Sequence, residues 1–233
     1  MFKKRKESPK GRRELKHAIT KLDCFLLRNN LRHIMDIDPH TNSDGKYLIR
    51  SVYFDNSENK VLTEKKEGHF NRDKFHVRLY NHQTYYINLE KKSKRNNATF
   101  KDKCRMTPAE YERIKIGDID WMEDDQRKLI RDLYTQMVVF QLKPITVVDY
   151  EREVFIYPYG NVRITFDSSI KTSFRNNDLL NPDLAMVEAL EPDIVILEVK
   201  YDEYIPDTIK RLLRVSDRRL GTYSKYHLSR MYG

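Results

Sequence analysis

Cations recur at every second position along several short stretches of this chain. In NRDKFHVRLY, residues 71–80, Arg72, Lys74, His76 and Arg78 alternate with Asp73, Phe75, Val77 and Leu79. A strand sends alternate side chains to opposite faces. One face of this strand is therefore largely apolar, and the other carries four groups that are or can be cationic. The pattern returns elsewhere. YYINLEKKSK sets Glu90, Lys92 and Lys94 against Ile87 and Leu89, and TFKDKCR aligns Lys101, Lys103 and Arg105. NVRITFD puts Arg163, Thr165 and Asp167 opposite Val162, Ile164 and Phe166. IVILEVKY places Glu198 and Lys200 opposite Leu197 and Val199, RRELKH aligns Arg12, Glu14 and Lys16, and Arg152 lies in VVDYEREVF.

A half-buried antiparallel sheet often turns one polar face to water, and that accounts for any one of these strands. It does not account for the set. Solvated faces mix signs, whereas here only Glu14, Glu90 and Glu198 clearly interleave the cations. The pattern predicts an inverted arrangement, an α+β fold with a closed antiparallel β-barrel of about eight strands, polar and cationic inside, with helices packed outside. Cations gathered in a lumen repel one another when it is empty, and a polyanion relieves that cost through charge-assisted hydrogen bonds. The few carboxylates suit a divalent metal shared with phosphate oxygens. Phosphoryl transfer, which is mostly positioning and charge neutralisation, is the chemistry such a site serves.

The elements that must position these residues follow from periodicity. Strands are expected over 12–17, 47–55, 73–80, 84–92, 98–105, 145–156, 161–167 and 194–201. Helices are expected over 18–36, 57–67, 122–139, 206–215 and 224–231, and one from Thr107, where Thr107, Pro108 and Glu110 form a helix start. Residues 174–192 read as loop. No repeat or Gly-rich linker divides the chain, so a single domain is expected over 12–233, preceded by a basic, flexible lead-in over 1–11.

Bulk properties narrow the partners. The 233 residues carry a net charge of +9, which favours anionic partners. Fifteen Tyr and ten Phe argue against extended disorder. Two isolated cysteines, Cys24 and Cys104, suit a reduced intracellular compartment and no structural zinc. No apolar run is long enough to span a membrane. A nucleic-acid partner is not expected, because the aromatics are not spaced as base-stacking platforms.

These motifs, in the order RRELKH, SVYFDN, KFHVRLY, NLEKKSK, YEREVF, VRITFD, ILEVKY and YSKY, resemble the VTC (vacuolar transporter chaperone) polyphosphate polymerase domain in its stand-alone bacterial form. That family lies within the triphosphate tunnel metalloenzymes, related to the CYTH group, and the resemblance runs from about Arg12 to Tyr226. It implies that Lys16, Lys74, His76, Arg78, Lys92, Lys94, Arg152 and Arg163 bind phosphate, together with Lys101 or Lys103. It implies that Glu198, with Glu14 and Glu90, holds Mn²⁺ or Mg²⁺, and that Lys200 and Lys225 serve the transferring phosphoryl group. The implied reaction moves the terminal phosphate of ATP, or of another triphosphate, onto inorganic polyphosphate. A triphosphatase or polyphosphatase of the same fold and a non-catalytic polyphosphate-binding module are the alternatives.

Two departures from the family pattern bear on this. The CYTH Glu-x-Glu-x-Lys is Arg12-x-Glu14-x-Lys16 here, as in the VTC branch. The first Arg of the family's Arg-x-Arg is His76, which should resist protonation among like charges and donate at most one hydrogen bond. The expected location is the cytoplasm, with any membrane association supplied by a separate partner. No SPX-like sensor or membrane segment is recognised in the chain, so regulation and export are expected from other proteins.

Overall fold

The computed structural model describes residues 13–96, 98–214, 219–220 and 223–230. The basic lead-in expected over 1–11, and Arg12 with it, lies outside the described residues.

The long strands follow the alternation closely. They are β1 (Arg13–Thr20), β3 (Lys46–Asp55), β4 (Asn71–Tyr80), β5 (Ile87–Arg95), β6 (Ala98–Met106), β7 (Lys143–Tyr157), β8 (Val162–Thr172) and β10 (Ile194–Tyr201). Three short strands complete the described set: β2 (Asp36–Ile37), β9 (Val187–Glu188) and β11 (Arg219–Leu220). The helices are α1 (Lys21–Leu31), α2 (Lys60–Lys66), α3 (Pro108–Lys115), α4 (Lys128–Phe140), α5 (Asp207–Leu212) and α6 (Lys225–Ser229).

Local chemistry sets the boundaries. The α3 start is as expected: Thr107 Oγ1 accepts from the Glu110 N–H at 3.2 Å, and Glu110 Oε2 accepts from the Thr107 N–H at 2.7 Å. The helix expected over 18–36 instead begins at Lys21. Thr20 and Asp23 form a reciprocal capping box there, so Ala18 and Ile19 remain in the strand.

The closed barrel is not what forms. Among the described residues there is one 11-stranded antiparallel sheet, ordered β11-β1-β10-β8-β7-β3-β4-β5-β6, with β2 on β7 and β9 on β8. Its end strands β11 and β6 do not pair. The edges explain why. Strand β6 presents exposed Lys101, Asp102 and Lys103, charges that resist strand addition, and the outer edge of β1 is taken by β11. The sheet is nevertheless strongly curled. Lys92 on β5 donates to Glu14 on β1 at 3.3 Å, although five strands lie between them in the sheet order.

The apolar face lies outside. Helices α3 and α4 cover one part, packing Tyr111, Ile114, Ile130 and Leu133 with Phe75, Val77 and Leu89. Helices α1 and α5 cover another, packing Leu27, Leu31 and Ile209 with Ile164, Val195 and Leu197. Each such leucine contributes about 1.5–3 kcal/mol by leaving water. Helix α6 does not join this outer layer, because its Lys225 reaches Asp167 on the cationic face.

Candidate functional site

The curl gathers the cations of seven strands onto one concave face. Register fixes which side chains adjoin: Lys16 lies opposite Glu198, Asp167 opposite Arg152, Ser51 opposite Arg78, His76 opposite Glu90, and Lys74 opposite Lys92.

One cluster forms where β3, β4, β5 and β6 meet. Glu90 is buried at 2% exposure. It accepts from His76 Nε2 at 2.8 Å and lies 3.3 Å from Arg78 Nη1 and 2.8 Å from Lys101 Nζ. Burial alone would raise its carboxyl pKa, but the hydrogen bond from His76 and the charge of Arg78 hold it well below the usual range. An ionised carboxylate only accepts, so His76 must donate through Nε2. Nδ1 is then an acceptor, and it is buried without a hydrogen-bond partner among the described residues. The imidazole pKa falls to about 3, first because it is buried, then because Arg78 and Lys74 oppose its charge, while Glu90 pulls the other way. His76 is neutral at pH 7, as the sequence led one to expect, but burial outweighs the like-charge repulsion invoked there.

A second cluster forms where β1, β7, β8, β10 and α6 meet. Asp167 is fully buried and takes a fork from Arg152, Nε at 2.6 Å and Nη2 at 2.8 Å. It also pairs with Lys225, whose ammonium lies 4.3 Å from the Tyr150 ring centroid. Burial opposes the charge on Asp167, yet Arg152 and Lys225 bring its pKa to about 2. Burial brings Lys225 down to about 8 in spite of Asp167. Lys16 bridges Glu14 at 2.7 Å and Glu198 at 3.4 Å, and Lys200 pairs with Glu198 as well. Burial would lower Lys16, but the two glutamates hold it above the usual lysine range. Glu198 is held well below its usual range, against burial, by Lys16 and Lys200.

Between the clusters the negative charge runs short. Lys74 sits 4.4 Å from the Tyr53 ring centroid and 5.8 Å from that of Tyr226, with no carboxylate partner among the described residues. Burial and then the charges of Lys92, Lys16, Lys65 and Arg78 push its pKa well down. Burial also lowers Lys92 and Lys101, in spite of Glu14 and Glu90 beside them.

The structure brings together Lys16, Lys74, His76, Arg78, Lys92, Lys101, Arg152, Lys200, Lys225, Glu14, Glu90 and Glu198. Lys101 and Lys103 are both exposed on β6; Lys101 pairs with Glu90, and Lys103 lies opposite Glu90 in the register. Lys94 shares the face, opposite Arg72 and further along β5. Arg163 stands at the border, 3.3 Å from Asp38 and 3.2 Å from the Tyr47 hydroxyl.

The three glutamates do not form one centre: Glu14 and Glu198 share Lys16, while Glu90 serves His76, Arg78 and Lys101. Among the described residues, no group of three or more His, Cys, Asp or Glu is placed to hold a metal. Glu198 Oε1 is buried and paired with the Lys200 ammonium, and Glu198 shares Lys16 with Glu14. Two ionised carboxylates so close together suit a hard cation that needs one or two carboxylates and completes its shell with water and phosphate.

Sequence reasoning passed over Asp167, Tyr53, Tyr150 and Tyr226. Asp167 had a signal, since it shares the face of Arg163 and Thr165 in NVRITFD. Tyr226 had none. Its hydroxyl donates to Asp55, which also accepts from the Val61 and Leu62 N–H groups at the start of α2.

The site is thus one concave, cationic face of a curled antiparallel sheet whose other face is apolar. Among solved structures the chain is similar to a Bacillus halodurans protein described as a candidate adenylate cyclase, with a TM-score of 0.50 and 12% identity over 88% of each chain. It is also similar to the PH1012 protein of Pyrococcus horikoshii OT3, with a TM-score of 0.40 and 11% identity over 86% of this chain and 84% of that one. The first shares the fold. No curated protein matches the chain. The family model for the VTC domain matches residues 11–231, and the chain belongs to that family.

Proposed function

We propose that this protein is a polyphosphate polymerase that transfers the terminal phosphate of ATP to a growing inorganic polyphosphate chain. The observation that carries the reading is the imbalance on the concave face. Arg152 and Lys225 share the buried Asp167, Arg78 and Lys101 share Glu90, and Lys74 and Lys92 crowd the space between. A linear phosphate chain supplies repeated negative charge at the spacing of such a row, and each contact is a charge-assisted hydrogen bond.

In this mechanism Lys16, Arg78, Lys92, Lys101, Arg152 and Arg163 align the triphosphate and the polymer end. An oxygen of the polymer's terminal phosphate forms the new P–O bond to the γ-phosphorus. The bond from the γ-phosphorus to the bridging oxygen breaks, and ADP leaves with that electron pair. Lys200 and Lys225 offset the charge that spreads over the transferring group. Glu198 and Glu14 are the residues that would hold Mn²⁺ or Mg²⁺, and such an ion supplies further charge neutralisation on phosphate oxygens. Supporting this role for Lys225, Ser224 caps α6 and the Tyr226 hydroxyl donates to Asp55, which fixes the start of the helix.

The test incubates purified protein with ATP and Mn²⁺ and resolves the products on a gel that detects long polyphosphate. Polymer appearing with ADP is expected, and Glu198→Ala is expected to lose it. Free phosphate alone would make the protein a hydrolase. Tight triphosphate binding with neither product would make it a binding module.

A further inference from the structure

Helix α1 is apolar on both sides. Leu27 and Leu31 are buried against the sheet. Leu22, Phe25 and Leu26 point the other way and are 67%, 49% and 52% exposed. Their spacing, i, i+3 and i+4, makes one continuous stripe. A surface helix normally turns charge to water at these positions, and a clustered apolar stripe marks a contact surface.

The stripe has a cationic frame. Lys21 opens the helix and is exposed. Arg28 lies 5.7 Å from the Phe25 ring centroid, and both Arg28 and Arg32 lie within 3.6 Å of the buried Glu153. Helix α5 packs beside α1 in the same outer layer and exposes Lys210 and Arg211, with exposed Arg214 following. Carboxylates lie nearby too: Asp23 is held in the α1 capping box, Glu153 is taken by the two arginines, Asp207 begins α5, Glu203 lines the same cavity as Lys210 and Arg214, and exposed Asp193 accepts from the Lys21 N–H through its backbone carbonyl. On the exposed surface of α5 and the residues that follow it, Lys210, Arg211 and Arg214 outnumber Asp207.

We propose that the α1–α5 face docks on an anionic lipid bilayer. Leu22, Phe25 and Leu26 enter the boundary between headgroups and acyl chains, while Lys21, Lys210, Arg211 and Arg214 meet lipid phosphates. A second copy of the chain is the poorer occupant, because it would bring the same cations against this frame. This inference does not depend on the polymerase reading, since the face lies on the opposite side of the sheet from the cationic cleft.

The test sediments the full chain with vesicles of phosphatidylcholine alone, or with about one third phosphatidylglycerol. Partition onto the anionic vesicles is expected to be at least about tenfold greater. The variant Leu22→Ser/Phe25→Ser/Leu26→Ser is expected to lose roughly tenfold in partition while keeping its thermal midpoint and its tripolyphosphate affinity. The variant Lys210→Glu/Arg211→Glu/Arg214→Glu leaves the apolar stripe intact and is expected to lose the preference for anionic vesicles. Three results would each overturn the proposal: no vesicle binding by the unsubstituted chain, both variants partitioning like it, or a dimer in place of vesicle binding that the triple serine variant abolishes.

Discussion

Replacing Asp167 with Asn removes one buried charge and leaves two cations without it. Asp167 is fully buried, and the side chains of Arg152 and Lys225 are only 12% and 11% exposed. Breaking a buried pair by removing one partner costs about 3–5 kcal/mol. We predict a loss near the lower figure, because both cations border the cleft and water reaches them. For a chain of this size, about 3 kcal/mol lowers the thermal midpoint by roughly 6–12 °C. The second half of the prediction is the sharper one. If the cationic face is built for phosphate, inorganic tripolyphosphate replaces the lost negative charge, so it should stabilise Asp167→Asn more than it stabilises the unsubstituted protein. The assay is thermal unfolding with and without tripolyphosphate at pH 7. A variant whose midpoint rises with ligand by no more than that of the unsubstituted protein would refute the reasoning.

Two further predictions concern His76 and Lys225. His76→Arg is expected to tighten tripolyphosphate binding by about tenfold, the value of a charged hydrogen bond net of burial, and unchanged affinity in a titration calorimeter would show that position 76 does not face the bound chain. Lys225 is charged below about pH 8 and loses its proton above it, so kcat/KM is predicted to fall as pH rises through that value, and Lys225→Arg to move this limb upward. Between about pH 8 and the ordinary lysine value the unfolded chain holds this proton and the folded one does not, so folding gains stability with rising pH there. An alkaline limb that stays in place in Lys225→Arg contradicts the assignment.

The strands were legible because alternation is local. Phe75, Val77 and Leu79 against Lys74, His76 and Arg78 fixes both the strand and its two faces, whatever the rest of the chain does. The closure was not legible. It depends on whether the edges of β6 and β1 meet, and that is decided by Lys101, Asp102 and Lys103 at one edge and by the two-residue β11 at the other. The cations of the site were readable by parity, but their partners were not. Asp167 looked like one more polar residue until β7 and β8 paired it with Arg152. Glu90 looked like a companion of Glu198 until the pairing of β4 with β5 set it with His76 instead. Tyr226 joins the site only through the docking of α6 on Asp55, a contact between residues 171 positions apart.

The central claim is that the concave face binds a linear phosphate chain. Titration calorimetry of tripolyphosphate and of orthophosphate, with unsubstituted protein, Arg78→Ala and Arg152→Ala, tests it most directly. The account predicts one tripolyphosphate per chain, bound at least about 100-fold tighter than orthophosphate and weakened about tenfold or more by each substitution. Tripolyphosphate bound no tighter than orthophosphate, or bound equally well by all three proteins, would contradict it.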